Sequence, residues 1–157
     1  MMKRFNKLLI VFFIILSSFC IYAANAKKVK KNRNLSGRKI SDLSKFNFKE
    51  GLEILDLGNN KISDLSTLVI PSTLKELYLD NNLISDLSKL NLNQGLNTLF
   101  FARNEISDVT DFKLPSSLKS FILLSNEVTS IDNLILNDRL EELILRRNNI
   151  SDLSNVT

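Results

Sequence analysis

Residues 52–73 read LEILDLGNNKISDLSTLVIPST, and residues 74–95 read LKELYLDNNLISDLSKLNLNQG. The second stretch repeats the first at an offset of 22 residues: Leu52 returns as Leu74, Leu55 as Leu77, Leu57 as Leu79, Asn60 as Asn82, Ile62 as Ile84 and Leu65 as Leu87. The phase continues outward without insertion through units that begin at Leu96, Leu118 and Leu140 (LNTLFFARNEISDVTDFKLPSS, LKSFILLSNEVTSIDNLILNDR and LEELILRRNNISDLSNVT). Upstream, Leu35, Ile40, Leu43, Phe46 and Phe48 fall in the matching columns of a degenerate unit. A fixed period of this length marks an array whose units cannot bury an apolar face alone and do so by stacking.

The pattern L-x-x-L-x-L-x-x-N-x-I-x-D-L resembles the leucine-rich repeat family over about residues 35–157. The unit length and the ISDLS tail are most similar to the bacterial internalins, and also to the intracellular phosphatase-regulating leucine-rich repeat proteins of eukaryotes. The helical N-terminal cap and the immunoglobulin-like domain typical of internalins are not recognisable here. The resemblance implies an α/β-type repeat solenoid: a short arc with parallel strands on its concave face, and loops with short 3-10 turns on its convex face.

Each column has a physical role. Leu77 and Leu79 are two apart, so a strand turns both to one face and Tyr78 to the other. Leu74, Ile84, Leu87, Leu90 and Leu92 fill the rest of that coil, each worth about 2 kcal/mol when buried. Asn60, Asn82, Asn104, Asn126 and Asn148 form a column where the chain turns inward. A carboxamide offers donor and acceptor together and can bridge neighbouring turns. Asp42, Asp64, Asp86, Asp108 and Asp152 form a second column, read as capping the first turn on the convex side. The alternative, a carboxylate ladder for calcium, is interrupted by Thr129-Ser130 in the fourth unit. Pro71-Ser72-Thr73 and Pro115-Ser116-Ser117 occupy one kind of junction; Glu50-Gly51, Gln94-Gly95 and Asp138-Arg139 occupy the other. The units therefore alternate, which implies alternating convex turns and duplication in blocks of two.

The 157 residues include no His, one Cys and no Trp. Without an imidazole, no Ser-His-Asp, Cys-His or His-containing zinc site can be built, and no nucleophile–base pair stands out. The expectation is a non-catalytic protein with no cofactor and no metal site.

Met1 to Ala26 reads as a secretory signal peptide: Lys3, Arg4 and Lys7, then the apolar run Leu8–Leu16, then Ala24-Asn25-Ala26, giving a mature start at Lys27. Two features favour an uncleaved membrane anchor instead. Leu8 to Ala24 is 17 residues, the low edge of a span, and five positive charges follow it against three before it. Beyond residue 26 the charges are uneven. Lys27 to Lys39 carry +7, whereas the remainder has 11 basic and 17 acidic residues. The body thus lacks the basic balance of a nucleic-acid-binding surface. The organisation read from the sequence is a signal peptide at 1–26, a basic leader at 27–39 acting as a solvated tail, a degenerate half repeat at 40–51, and five repeats at 52–157, the last incomplete.

Side chains that alternate with the core leucines line the concave side. The middle column runs Asp56, Tyr78, Phe100, Ile122 and Ile144; Asp80, Leu124 and Arg146 stand two residues further on. Apolar residues with no core duty mark an interaction surface, with Tyr and Phe as anchors. Arg103, Arg146 and Arg147 make one end of the groove basic, while Asp56, Glu76 and Asp80 make the other acidic. The resemblance implies a secreted or surface module that binds a protein partner through this face as an adhesin, effector or scaffold. The competing expectation is an intracellular or membrane-tethered regulator of a phosphatase-like enzyme, with residues 1–26 retained as the membrane contact. Leu145, Leu153 and Val156 have no polar cover in the sequence, so self-association through the last repeat is also expected.

Overall fold

The computed structural model describes residues 31–132 and 134–151. The signal-peptide reading, Asp152, Leu153 and Val156 lie outside them. Six three-residue strands follow one another: β1 (Asn32–Asn34), β2 (Ile54–Asp56), β3 (Glu76–Tyr78), β4 (Thr98–Phe100), β5 (Ser120–Ile122) and β6 (Glu142–Ile144). They form one parallel sheet in chain order. Every pairing keeps the repeat offset, with Leu55 beside Leu77, Leu77 beside Leu99 and Phe121 beside Leu143. The chain is thus a solenoid in which one unit is one coil.

Period-2 alternation decides the faces. Leu55, Leu77, Leu99 and Phe121 are wholly buried, as are Leu57, Leu79, Phe101 and Leu123 two residues on. They join Ile62, Ile84, Ile106 and Val128 in one continuous core that runs through the coils. On the convex side each of the first five coils turns on an isolated i→i+3 bond, such as Leu68 N–H to Leu65 O and Leu90 N–H to Leu87 O. A second such bond, such as Leu74 N–H to Pro71 O or Leu118 N–H to Pro115 O, precedes each of β2 to β6. Asp64 Oδ1 accepts the amide of Ser66 at 2.8 Å, and Asp42, Asp86 and Asp108 repeat the motif with Ser44, Ser88 and Thr110. The aspartate column therefore closes turns, and bonds from the hydroxyl (foremost at Asp42 and Asp108) and the amide (foremost at Asp64 and Asp86) of the residue two positions on hold each of the four carboxyls below its ordinary range.

The first strand lies inside the segment read from sequence as a solvated basic leader. Residue 33 occupies the column of Leu55 but is an arginine, so the leucine signal is missing there. Its guanidinium stacks 5.8 Å from the Phe46 ring centroid and 5.2 Å from that of Phe48, and those two rings stack on each other at 6.0 Å. A cation thus lies over aromatic faces, with its head towards water, at the N-terminal end of the described core. Leu35 and Ile40 pack against the same core.

The asparagine column welds coil to coil. Asn104 Nδ2 donates to Leu79 O of the preceding coil at 3.0 Å and to Phe101 O of its own coil at 3.0 Å; its Oδ1 accepts Ile84 N–H at 3.0 Å. Asn60, Asn82, Asn126 and Asn148 make the same three kinds of bond. Among the described residues no buried side-chain nitrogen or oxygen lacks a partner.

The alternating junctions are real and differ in chemistry. Ser72 donates its amide and its hydroxyl to Glu50, and Ser116 donates both to Gln94. At the intervening junctions Asn93 Nδ2 donates to Pro71 O and Asn137 Nδ2 to Pro115 O.

The inward turn needs a left-handed residue in each coil. Asn59 (φ 54°), Asn81 (φ 52°), Arg103 (φ 56°), Ser125 (φ 56°) and Arg147 (φ 60°) fill that place. Asparagine tolerates it; arginine carries its full steric cost. Asn81 Nδ2 also donates to Asn59 Oδ1 at 2.9 Å, one coil apart.

Two predictions follow from these columns. Chemical denaturation should show Asn104→Ala losing at least ~2 kcal/mol, because buried backbone groups are orphaned. Asn97→Ala, whose side chain is half-exposed, should lose under about 0.5 kcal/mol. Conversely, Arg103→Asn should raise stability by about 0.5–1 kcal/mol through relief of the left-handed strain; a fall in the denaturation midpoint would contradict that account.

Candidate protein-binding face

The concave face is set by the sheet register. Asp56, Tyr78, Phe100, Ile122 and Ile144 are successive strand partners, so the sequence's middle column is one spatial row. Asp80, Leu124 and Arg146 continue each strand by two residues and lie beside the row.

Within the row the side chains are not alike. Tyr78 and Phe100 pair with ring centroids 5.1 Å apart and planes tilted by 36°, both partly exposed. Ile144 is partly exposed as well. Ile122 is not: only 3% of it is accessible, although it lies outside the continuous core. It is flanked by Phe100 and Ile144 on the neighbouring strands. The stripe expected from sequence as four exposed residues is therefore an aromatic pair and an isoleucine around a covered centre. Strand alternation shows which way a side chain points, but not whether its neighbours are large enough to close over it.

The polar groups at the N-terminal end are tied together. Asn34 Nδ2 donates to Asp56 Oδ2 at 2.9 Å, and Gly58 N–H donates to Asp56 Oδ1 at 2.9 Å. Gly58 is buried beside the Asp80 carboxylate; a Cβ there would come within 2.8 Å of Asp80 Oδ1. Burial, reinforced by the negative charge of Asp56, pushes the Asp80 carboxyl up, while the charge of Arg103 opposes the shift. Tyr78 Oη donates to Glu76 Oε2 at 2.7 Å. Asn32, Arg33, Asn34, Ile54, Asp56 and Tyr78 surround a hollow of about 300 Å³ at this end.

At the other end Arg146 is exposed, and so is Glu142 on the same strand, which accepts from Ser120 Oγ at 2.7 Å. Glu142 and Arg146 share one face there, so that end, expected from its arginines to be basic, carries both signs. Among the described residues no group of three or more His, Cys, Asp or Glu converges as a metal ion would require, and no helix is long and apolar enough to cross a membrane.

The geometry can be set beside known proteins. A crystal structure of an internalin from Listeria monocytogenes matches with a TM-score of 0.58 and 33% identity, covering 68% of this chain and 32% of that one. The chain is a leucine-rich repeat protein. It spans about a third of the length of the internalin it matches. No family model matches the chain, and no curated protein matches it.

In this leucine-rich repeat array Tyr78 reports on the concave face. Burial first, then the bond to Glu76 and the charges of Glu76 and Asp56, push its phenol up to about 12. A raised phenol adds stability that is whole below pH 10 and lost as pH rises through about 12. Ultraviolet titration of the chain from Lys27, in which Tyr78 is the one tyrosine, should accordingly show a phenol ionising well above pH 10. Glu76→Gln should bring it partway back, leaving the part due to burial; an unshifted phenol in the wild type would show the Tyr78 ring to be solvated.

Proposed function

We propose that this leucine-rich repeat protein is a secreted or surface module that binds a protein partner through its concave face and carries out no catalysis. One observation carries this reading: the Tyr78–Phe100 pair, with Ile144, is apolar surface on the sheet that the continuous core does not use. Aromatic anchors near the middle of a groove, edged by fixed polar groups such as Asp56 and Asp80, are what protein recognition employs. The similarity to an internalin, a leucine-rich repeat protein of a bacterium, supports the same reading. The secreted part rests on the signal-peptide pattern of residues 1–26. The non-catalytic part rests on a sequence without histidine and without a nucleophile–base pair.

The test joins both parts. Protein recovered from the medium of the native cells should have an intact mass that begins at Lys27. Used as bait, it should capture a partner that Tyr78→Ser with Phe100→Ser loses, since removing anchors costs about 2 kcal/mol or more of binding. The double variant should keep its fold, giving up about 0.5–1.5 kcal/mol for the ring pair, as read from melting curves. Ile122→Ser is unsuitable for this purpose because Ile122 is covered. Unchanged capture by the folded double variant would move the binding site off the concave face. Recovery of residues 1–26 in a membrane fraction would favour the tethered regulator.

A further inference from the structure

Tyr78 stands in a charged corner of the concave face. Glu76 precedes it and Asp80 follows it on the same side of the strand, and Asp56 is its partner on β2. Phe100, on β4, closes the other flank with its ring 5.1 Å away. Described coils lie on both sides of this corner, so it is no edge of the sheet. We propose that the corner receives one arginine side chain of a protein partner, its guanidinium lying against the Tyr78–Phe100 rings and paired with the Asp80 carboxylate. The inference rests on the concave face being the binding surface, and it names the chemistry that fits there.

The carboxylates of the corner differ in what holds them. Asp56 accepts from Asn34 and Gly58, and Glu76 accepts from the Tyr78 hydroxyl. Asp80 takes a hydrogen bond from its own amide alone. It leans over Gly58, whose missing side chain leaves the room that the carboxylate occupies. Burial and then the Asp56 charge act against its ionised form, and Arg103 opposes them. Among the described residues, however, none of Asp56, Glu76 and Asp80 holds an ion-pair partner. A part-buried carboxylate that faces a like charge without a donor costs stability. A donor that carries positive charge supplies both things it lacks.

The rings decide which cation. Among the described residues no three His, Cys, Asp or Glu converge as a metal ion would require, and two walls of the corner are aromatic. The negative face of an aromatic ring attracts an organic cation. Tyr78 Oη donates to Glu76 at 2.7 Å, and a bond given to a carboxylate polarises the phenol and enriches its ring. A guanidinium is planar, weakly hydrated and carries its donors in a fixed fork, so it can lie along a ring and grip a carboxylate together. An ammonium is compact and strongly hydrated, and suits that double contact less well.

The chain has no Trp, and from Lys27 onward Tyr78 is its one tyrosine. Tyrosine emission of that chain therefore reports from the corner itself. Two capped tripeptides, Leu-Arg-Leu and Leu-citrulline-Leu, serve as probes that differ in the charge of one side chain of nearly the same shape. The arginine peptide should bind at least ~10-fold more tightly. Asp80→Asn keeps the size and removes the charge. It should weaken the arginine peptide at least ~5-fold and leave the citrulline peptide within ~2-fold, a coupling that a purely structural aspartate would not show. Glu105→Gln makes the same change of net charge at an exposed residue off the concave face, and should leave both peptides within ~2-fold.

Four results would each overturn the inference. Equal affinity for the two peptides would make the occupant an uncharged segment. An Asp80→Asn effect shared by both peptides would make Asp80 structural. A Glu105→Gln effect as large as that of Asp80→Asn would reduce the attraction to net charge. Unchanged emission up to ~10 mM arginine peptide would show that the corner takes no arginine. The capture experiment separates the inference from the reading beneath it. A partner lost by Tyr78→Ser with Phe100→Ser but kept by Asp80→Asn would leave the concave face standing and remove the arginine.

Discussion

The carboxamide of each column asparagine touches two coils at once, and the rest of the molecule depends on it. Its amide nitrogen joins a carbonyl of its own coil to one of the preceding coil, and its oxygen takes an amide from the preceding coil's far side. A single planar group of fixed size therefore sets the spacing and the phase between neighbours. Once that phase is set, strands pair without slippage, leucines stack on leucines, and the concave columns fall into rows. A neutral hydrogen bond contributes about 1 kcal/mol net. Its influence here comes from position: the three bonds lie where the backbone turns inward and water cannot substitute.

Much of this was legible in the chain itself, for a simple reason. A solenoid writes each core contact at a constant offset, so Leu55, Leu77 and Leu99 announce one another. What escaped the reading broke the offset or depended on size. The first strand was hidden because Arg33 fills a leucine column, and its contribution is made through the faces of Phe46 and Phe48 rather than through burial of its own. Ile122 was placed on the correct face but given the wrong exposure: it is buried, with Phe100 and Ile144 beside it on the neighbouring strands. The alternation of the convex junctions could be read from Pro71 and Pro115. The bonds that make it, from Ser72 to Glu50 and from Asn93 to Pro71, join residues one coil apart that have no common chemical signature.

The two sides of each strand have separate duties. Leu77 and Leu79 are committed to the interior, while Tyr78 between them is free to vary. The middle row changes from Asp56 to Tyr78 to Phe100 to Ile122 without disturbing a single core column. Stability and recognition are thus written in alternate letters of the same three-residue strand, and a substitution in one set has limited reach into the other. Ile122 is the exception, since it stands in the concave row and is nevertheless buried.

The arginine over Phe46 and Phe48 has a consequence for how a repeat tolerates loss of its signature. The first described strand, Asn32–Asn34, is exposed throughout, and no leucine stands at residue 33. A guanidinium laid over two rings shields their faces while its charge stays in water. A coil can therefore keep its place in the stack after its leucine is gone, provided that the residues opposite supply flat apolar faces for a cation to lie on.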